Sequence, residues 1–117
     1  MTDRDEACIF CKIASGEMGT EFVYESPDVV AFDDLAPQAP THVLVVPRLH
    51  VPDVTHLAGE HRQLAGEMIE VSSLIAAQRG LTDSGFRILT NVGPDAGQTV
   101  HHMHWHVLGG AKLGKMG

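Results

Sequence analysis

The chain has 117 residues, with eight basic and fifteen acidic side chains and a formal charge of −7. That is the length of one domain, and an apolar share of 44% is enough to bury a core without disulfides. The charge excludes nucleic-acid binding through general electrostatics, since a phosphate backbone would be repelled, and no stretch approaches the ~20 apolar residues of a membrane helix. A ligand carrying one or two phosphates therefore needs local donors. No basic start followed by an apolar run and a small-residue cleavage site is present, so the expectation is a cytoplasmic protein with no nucleic-acid or membrane partner.

In chain order, residues 1–7 are polar and expected to be loose. From Cys8 to Ala14 the pattern fits a short helix, stopped at Ser15-Gly16 with Gly16 as terminator. Phe22, Val23 and Tyr24 predict a strand, closed by Ser26-Pro27-Asp28, and residues 29–32 predict a second, antiparallel to it. Residues 36–40 contain two prolines and form a loop. His42-Val43-Leu44-Val45-Val46-Pro47 is a nearly continuous apolar strand, as expected of one buried on both faces. Leu57, Leu64, Met68, Val71 and Ile75 share one face of a helix running to about residue 79, with Gly80 ending it. Residues 86–90 predict a strand, 91–97 a loop and 100–108 the last strand. The tail from Gly109 is glycine-rich, and residues 111–117 are expected to be irregular. Strands on either side of one long helix predict an α+β domain with a largely antiparallel sheet. A βαβ arrangement is the alternative, but its alternation is not repeated.

Eight histidines are the main oddity, four of them within residues 101–106. In His102-Met103-His104-Trp105-His106 the period is two. On a strand this puts His102, His104 and His106 on one face and Met103, Trp105 and Val107 on the other. Next-but-one neighbours lie ~7 Å apart. The apolar face suits the core, which leaves the imidazoles in water, as the polar face of an edge strand, or in a pocket. The preceding turn, Asn91-Val92-Gly93-Pro94-Asp95-Ala96-Gly97-Gln98-Thr99, offers glycines that let backbone N–H groups approach an anion, plus two amides and a hydroxyl. A neutral imidazole attacks phosphorus without a strong base, provided its far nitrogen is oriented. His104, flanked on both sides, is the nucleophile candidate.

Gly97-Gln98-Thr99-Val100-His101-His102-Met103-His104-Trp105-His106-Val107-Leu108-Gly109-Gly110 resembles the histidine triad (HIT) signature, H-φ-H-φ-H-φ-φ with φ apolar. Its flanks are similar to those of the HINT branch, the purine nucleoside phosphoramidases. Cys8-Ile9-Phe10-Cys11-Lys12-Ile13, the stretch from Phe32 to His42 and Val43-Leu44-Val45-Val46-Pro47-Arg48-Leu49-His50 resemble HINT segments in the same order. The resemblance implies a single HIT domain over 1–117, a five-stranded antiparallel sheet with one long and one short helix, and a homodimer joining two sheets into a ten-stranded one. It implies cleavage of nucleoside 5′-phosphoramidates to the monophosphate through a nucleotidyl-His104 intermediate. His106, His42 and His102 would complete the catalytic set. It matches Phe10, Ile13, Phe32, Asp34 and Leu35 to the nucleoside pocket, with Asp34 on the ribose hydroxyls. Asn91, Gly97, Gln98 and Thr99, with His106, match phosphate-contacting positions. Taken without the resemblance, Phe10, Ile13, Phe32 and Leu35 read equally well as core. Two departures stand out. Trp105 replaces a smaller aliphatic residue, which should alter packing rather than chemistry, and the tail lacks the tryptophan and prolines of HINT C-termini. A Fhit-like dinucleoside polyphosphate hydrolase is the second enzymatic reading, and a nucleotide-binding scaffold with incidental catalysis is the third.

Cys8 and Cys11, in C-x-x-C spacing, suit half of a zinc site or a redox pair better than a structural disulfide. Similarity to bacterial HIT proteins and to galactose-1-phosphate uridylyltransferases implies His50 and His102 as the remaining ligands of a structural zinc. His101 competes with His102 but should face the other way. Two free thiols with a solvent-facing His50 are the alternative. His56 and His61, at the start of the long helix, are given no role.

Overall fold

The structure, a computed structural model, describes residues 5–116. The first four residues of the segment expected to be loose, and Gly117 of the tail, lie outside that range. Helix α1 spans Ile9–Ala14, where the sequence places a short helix. Cys8 is its N-cap, its sulfur accepting from the Cys11 backbone N–H. Gly16 follows with φ +88° and closes the turn onto the Ile13 carbonyl.

Five strands form one antiparallel sheet, β1 (Tyr24–Glu25), β2 (Val29–Asp33), β3 (Thr41–Pro47), β4 (Phe86–Thr90) and β5 (Trp105–Gly109), in the order β1-β2-β3-β5-β4. The α+β expectation holds and βαβ does not. β3 is buried along its whole length, as its unbroken apolar run requires. Its odd and even residues face different layers. Val43 and Val45 join Val29, Ala31 and Val107 under the long helix α2 (Arg62–Gln78). Leu44 and Val46 join Val30 and Phe32 against Phe10 and Ala14 of α1. The sheet is thus sandwiched between a large α2 core and a smaller α1 core.

Three boundaries differ from the sequence reading by more than one residue. The first strand is shorter and starts at Tyr24, although Val23 still packs on the α2 core. The long helix begins at Arg62, not near Leu57, because Gly59 takes φ +58° and the chain makes two 3-10 turns first. Leu57 reaches the core from outside the helix. At the other end the expected Gly80 stop is present: Gly80 N–H bonds the Ala77 carbonyl and Leu81 N–H the Ala76 carbonyl.

The third difference matters most. The sequence pattern predicts the last strand from residue 100, but it pairs only from Trp105. Its ladder partners are Val45 and Thr90. Beyond Thr90 the chain turns off at Gly93, φ +80°, and on the other side Pro47 has no N–H to offer. Residues 100–104 are tied down otherwise, with Met103 N–H donating to the Val51 carbonyl at 2.6 Å. The alternation survives the loss of pairing: Met103, Trp105 and Val107 lie in the α2 core, and His104 and His106 face the α1 layer. Trp105 packs against the α2 core, away from His104 and His106, and its indole N–H is buried without a hydrogen-bond partner.

Among the described residues no helix is long and apolar enough to cross a membrane. Past the sheet, the tail is held where Arg87 donates to the Gly114 carbonyl at 3.0 Å.

Candidate active site and metal centre

The α1 face of the sheet bears a cavity of about 340 Å³, lined by Ile9, Phe10, Ile13, Phe32, Asp34, Leu35, Leu44, Thr99, Val100, His104 and His106. All five residues matched to a nucleoside pocket are among them. Leu35 is fully exposed at the rim, whereas Phe10 and Phe32 are buried and meet edge to face at 6.0 Å. Phe10 also stands edge-on to His104, ring centroids 4.9 Å apart, so one aromatic ring joins the apolar wall to the histidines.

Hydrogen-bond partners fix where the imidazole protons sit. His104 Nδ1 lies 2.8 Å from the His102 carbonyl, which only accepts, so Nδ1 carries the proton. Burial lowers the His104 pKa, against the pull of that bond and of Asp34, so the ring is neutral and its Nε2 keeps a lone pair. A second chain runs the opposite way. The Gln38 backbone N–H donates to His42 Nδ1 at 3.0 Å, which puts the His42 proton on Nε2. That nitrogen is 2.8 Å from His106 Nδ1 and 3.5 Å from Asp34 Oδ2. Burial, then the nearby rings of His104 and His42, press the His106 pKa down to about 4. A neutral His106 accepting on Nδ1 bears its proton on Nε2, and this atom is buried with no partner. The two rings, 5.2 Å apart, thus differ: His104 offers a lone pair and His106 a lone N–H.

The His102 ring is elsewhere. It is fully buried, donates from Nε2 to the Pro47 carbonyl at 2.8 Å, and lines no part of the cavity. The sequence reading gives it both a catalytic and a metal role; towards the cavity it contributes only its backbone carbonyl, which holds His104, while its ring lies in the cysteine–histidine cluster. Its Nδ1 lies 3.3 Å from Cys8 Sγ, 3.4 Å from Cys11 Sγ and 3.2 Å from His50 Nδ1. Cys11 Sγ is 3.3 Å from His50 Nδ1. All four donor atoms fall within 4.8 Å of one another. A tetrahedral ion at ~2.3 Å from sulfur and ~2.0 Å from nitrogen spans S···N edges of about 3.5 Å and an N···N edge of about 3.3 Å, which these spacings match. The donor set suits a metal in other ways. Backbone N–H groups of Asp5 and Cys11 point at the sulfurs at 3.4 Å, and burial pushes the Cys11 thiol up, so a thiolate there needs a cation. His101 is exposed and outside this group.

The loop at 91–99 departs from its expected use. Gln98 is buried with its amide consumed: Oε1 accepts from Gly93 N–H at 2.9 Å, and Nε2 donates to the carbonyls of Pro52 and Val100 at 2.8 and 3.0 Å. It braces the loop. Asn91 and Gly97 do not line the cavity, while Thr99 does. Gly97 takes φ +86°, which lets the loop turn back. Sequence reasoning missed Ile9, Leu44 and Val100 in the lining, although Leu44 follows His42 by two on one strand face. It also missed Thr90, whose hydroxyl donates to the His104 carbonyl at 2.9 Å. His56 and His61 lie by Asp53 at 3.2 Å and Glu60 at 3.7 Å, away from both sites.

A HIT domain model matches residues 15–113. The purine nucleoside phosphoramidase of Escherichia coli strain K12 is 43% identical over 111 residues, 95% of this chain and 93% of that protein. Protein HitA of Neisseria gonorrhoeae is 45% identical over 87% of this chain and 94% of its own length. A histidine triad protein of Clostridium difficile superposes with a TM-score of 0.91 at 40% identity, over 97% of this chain and 99% of that one. A HIT family hydrolase of Legionella pneumophila gives 0.88 at 36%, over 92% and 96%. The chain belongs to the HIT family.

Proposed function

We propose that this protein cleaves nucleoside 5′-phosphoramidates to the nucleoside monophosphate and an amine, through a nucleotide bound covalently to His104. Membership of the family makes the chain a nucleotide hydrolase, and the phosphoramidate class is suggested by the name of the similar E. coli protein. The observation that carries the reading is the pairing of opposite tautomers at one cavity: a lone pair on His104 beside an unpartnered N–H on His106.

The nucleoside lies between Phe10, Ile13, Phe32, Leu35 and Leu44, with Asp34 accepting from the ribose hydroxyls. His104 Nε2 attacks the α-phosphorus and the P–N bond breaks. The amine nitrogen takes the bonding pair and a proton from solvent. The phosphoryl-imidazolium keeps its Nδ1 proton on the His102 carbonyl, with Asp34 nearby to stabilise its charge. His106 Nε2–H donates to a phosphoryl oxygen as charge builds there, and the Gln38–His42 chain keeps it a donor. Water then attacks phosphorus, the pair of the P–Nε2 bond returns to His104, and a proton leaves to solvent.

Cys8, Cys11, His50 and His102 are assigned a structural zinc. With all four positions filled by protein it supplies cross-linking and no activated water. The homodimer reading is supported by β4, a sheet edge with one free row of backbone groups. A cytoplasmic location fits the unlinked cysteine pair.

Mass spectrometry of protein quenched during turnover of adenosine 5′-phosphoramidate should find a nucleotidyl adduct on His104. His104→Ala should lose the adduct and turnover while still binding the monophosphate. A His104→Asn enzyme retaining most of its activity would remove His104 as nucleophile, and faster cleavage of diadenosine polyphosphates would move the protein to the other hydrolase class.

A further inference from the structure

A second cavity, of about 360 Å³, lies between the N-terminal segment and the chain just before the histidines. Asp5, Ile9, His50, Thr99, Val100 and His101 are among the residues that wall it, and nothing in the proposed reaction uses it. Ile9, Thr99 and Val100 wall this cavity and the nucleotide cavity alike, so the two adjoin.

That position has a consequence for the substrate. In the nucleotide cavity the apolar and aromatic side chains take the nucleoside, and His104, His106 and Thr99 lie at the phosphate end. A phosphorus held there carries the nucleoside on one side. A second substituent on that phosphorus, the group to be expelled, would enter the neighbouring cavity by passing Thr99, which walls both. The volume exceeds what ammonia needs and suits a substituted amine. Ile9 and Val100 offer an apolar wall to a carbon stem. Beyond them stand the acidic side chain of Asp5, whose Oδ1 accepts from Ala7 N–H at 2.9 Å, and the rings of His50 and His101.

We infer that this cavity is the leaving-group subsite, and that Asp5 makes it select phosphoramidates whose amine carries a second, cationic amino group. The inference rests on the phosphoramidase reading. It also predicts discrimination between substrate classes, because an anionic polyphosphate leaving group would be pushed against the Asp5 carboxylate.

The test uses the full-length protein and two phosphoramidates of one nucleoside, N-linked to alkyl chains of equal length, one ending in ammonium and the other in methyl. The wild type should favour the ammonium compound by about three- to fivefold in kcat/KM, the range of an exposed ion pair. Asp5→Asn, which retains an oxygen for Ala7 N–H, should bring the ratio close to one, and Asp5→Glu should restore it. Equal ratios in wild type and Asp5→Asn, with the unsubstituted phosphoramidate turned over normally, would overturn the subsite and leave the phosphoramidase reading intact. Turnover of none of the three compounds by the wild type would overturn both.

Discussion

Moving from near pH 7 to near pH 5 should cost the protein stability through His106, and the loss can be worked from its surroundings. Burial is the largest influence on this ring, followed by the rings of His104 and His42, with Asp34 opposing, and together they bring its pKa from 6.5 to about 4. The folded protein therefore binds fewer protons here than the unfolded chain between those two values. For a histidine shifted downward, the contribution is complete above 6.5, falls as the pH drops, and is fully lost below 4. At ~1.36 kcal/mol per unit the full loss has a ceiling of about 3.4 kcal/mol, of which about 2 kcal/mol is reached near pH 5. Because the ring opens onto the cavity, solvent screening reduces this to about 1–2 kcal/mol. Urea unfolding of wild type and His106→Asn at both pH values isolates the effect, since other groups titrate in both proteins. The wild type should lose about 1–2 kcal/mol more than the variant. Equal losses, or a His106 ring that titrates near its ordinary value by NMR, would refute the buried neutral donor.

Two other perturbations follow from the same geometry. Thr90→Val removes the hydroxyl that meets the His104 carbonyl and leaves that oxygen short of a partner, a cost of about 1–3 kcal/mol in thermal unfolding. It should lower kcat more than it raises KM, with Thr90→Ser restoring both; unchanged kcat in the valine variant would show that the bond does not position the nucleophile. Protein purified without added metal should carry about one zinc per chain, and Cys11→Ser should lose it together with several kcal/mol of stability, whereas freely titratable thiols and metal below about a tenth of an equivalent would end the zinc assignment.

The elements were legible where one physical signal dominated. The unbroken run at 42–47 is typical of a strand buried on both faces, which it is, and Gly80 marked the end of α2 because a left-handed residue is needed there. The start of α2 was not, since Leu57 keeps the apolar spacing of a helix it does not belong to, and only the backbone at Gly59 shows the break. In the site, the period of two found the faces of residues 102–106 but not their partners. Gln98 looked like a phosphate ligand because its amide is suited to one; that amide is spent on Gly93, Pro52 and Val100, carbonyls and an N–H that no spacing rule reveals. Thr90 was invisible for the same reason, its role arising from ladder pairing with Trp105.

The three histidines at 102, 104 and 106 are chemically identical in sequence and made different by what their first nitrogen meets. A cysteine–histidine cluster takes Nδ1 of His102, a carbonyl takes that of His104, and another imidazole's N–H takes that of His106. On the proposed reading the first arrangement suits a metal ligand, the second a nucleophile and the third a donor. Because the carbonyl holding His104 belongs to His102, the ring that ties in the N-terminal segment and the backbone that orients the His104 ring are one residue. If the proposed chemistry holds, a change at Cys8 or Cys11 should reach the phosphate site through His102 without touching it, and the second cavity, walled by Cys8 and His50, lies on that same connection.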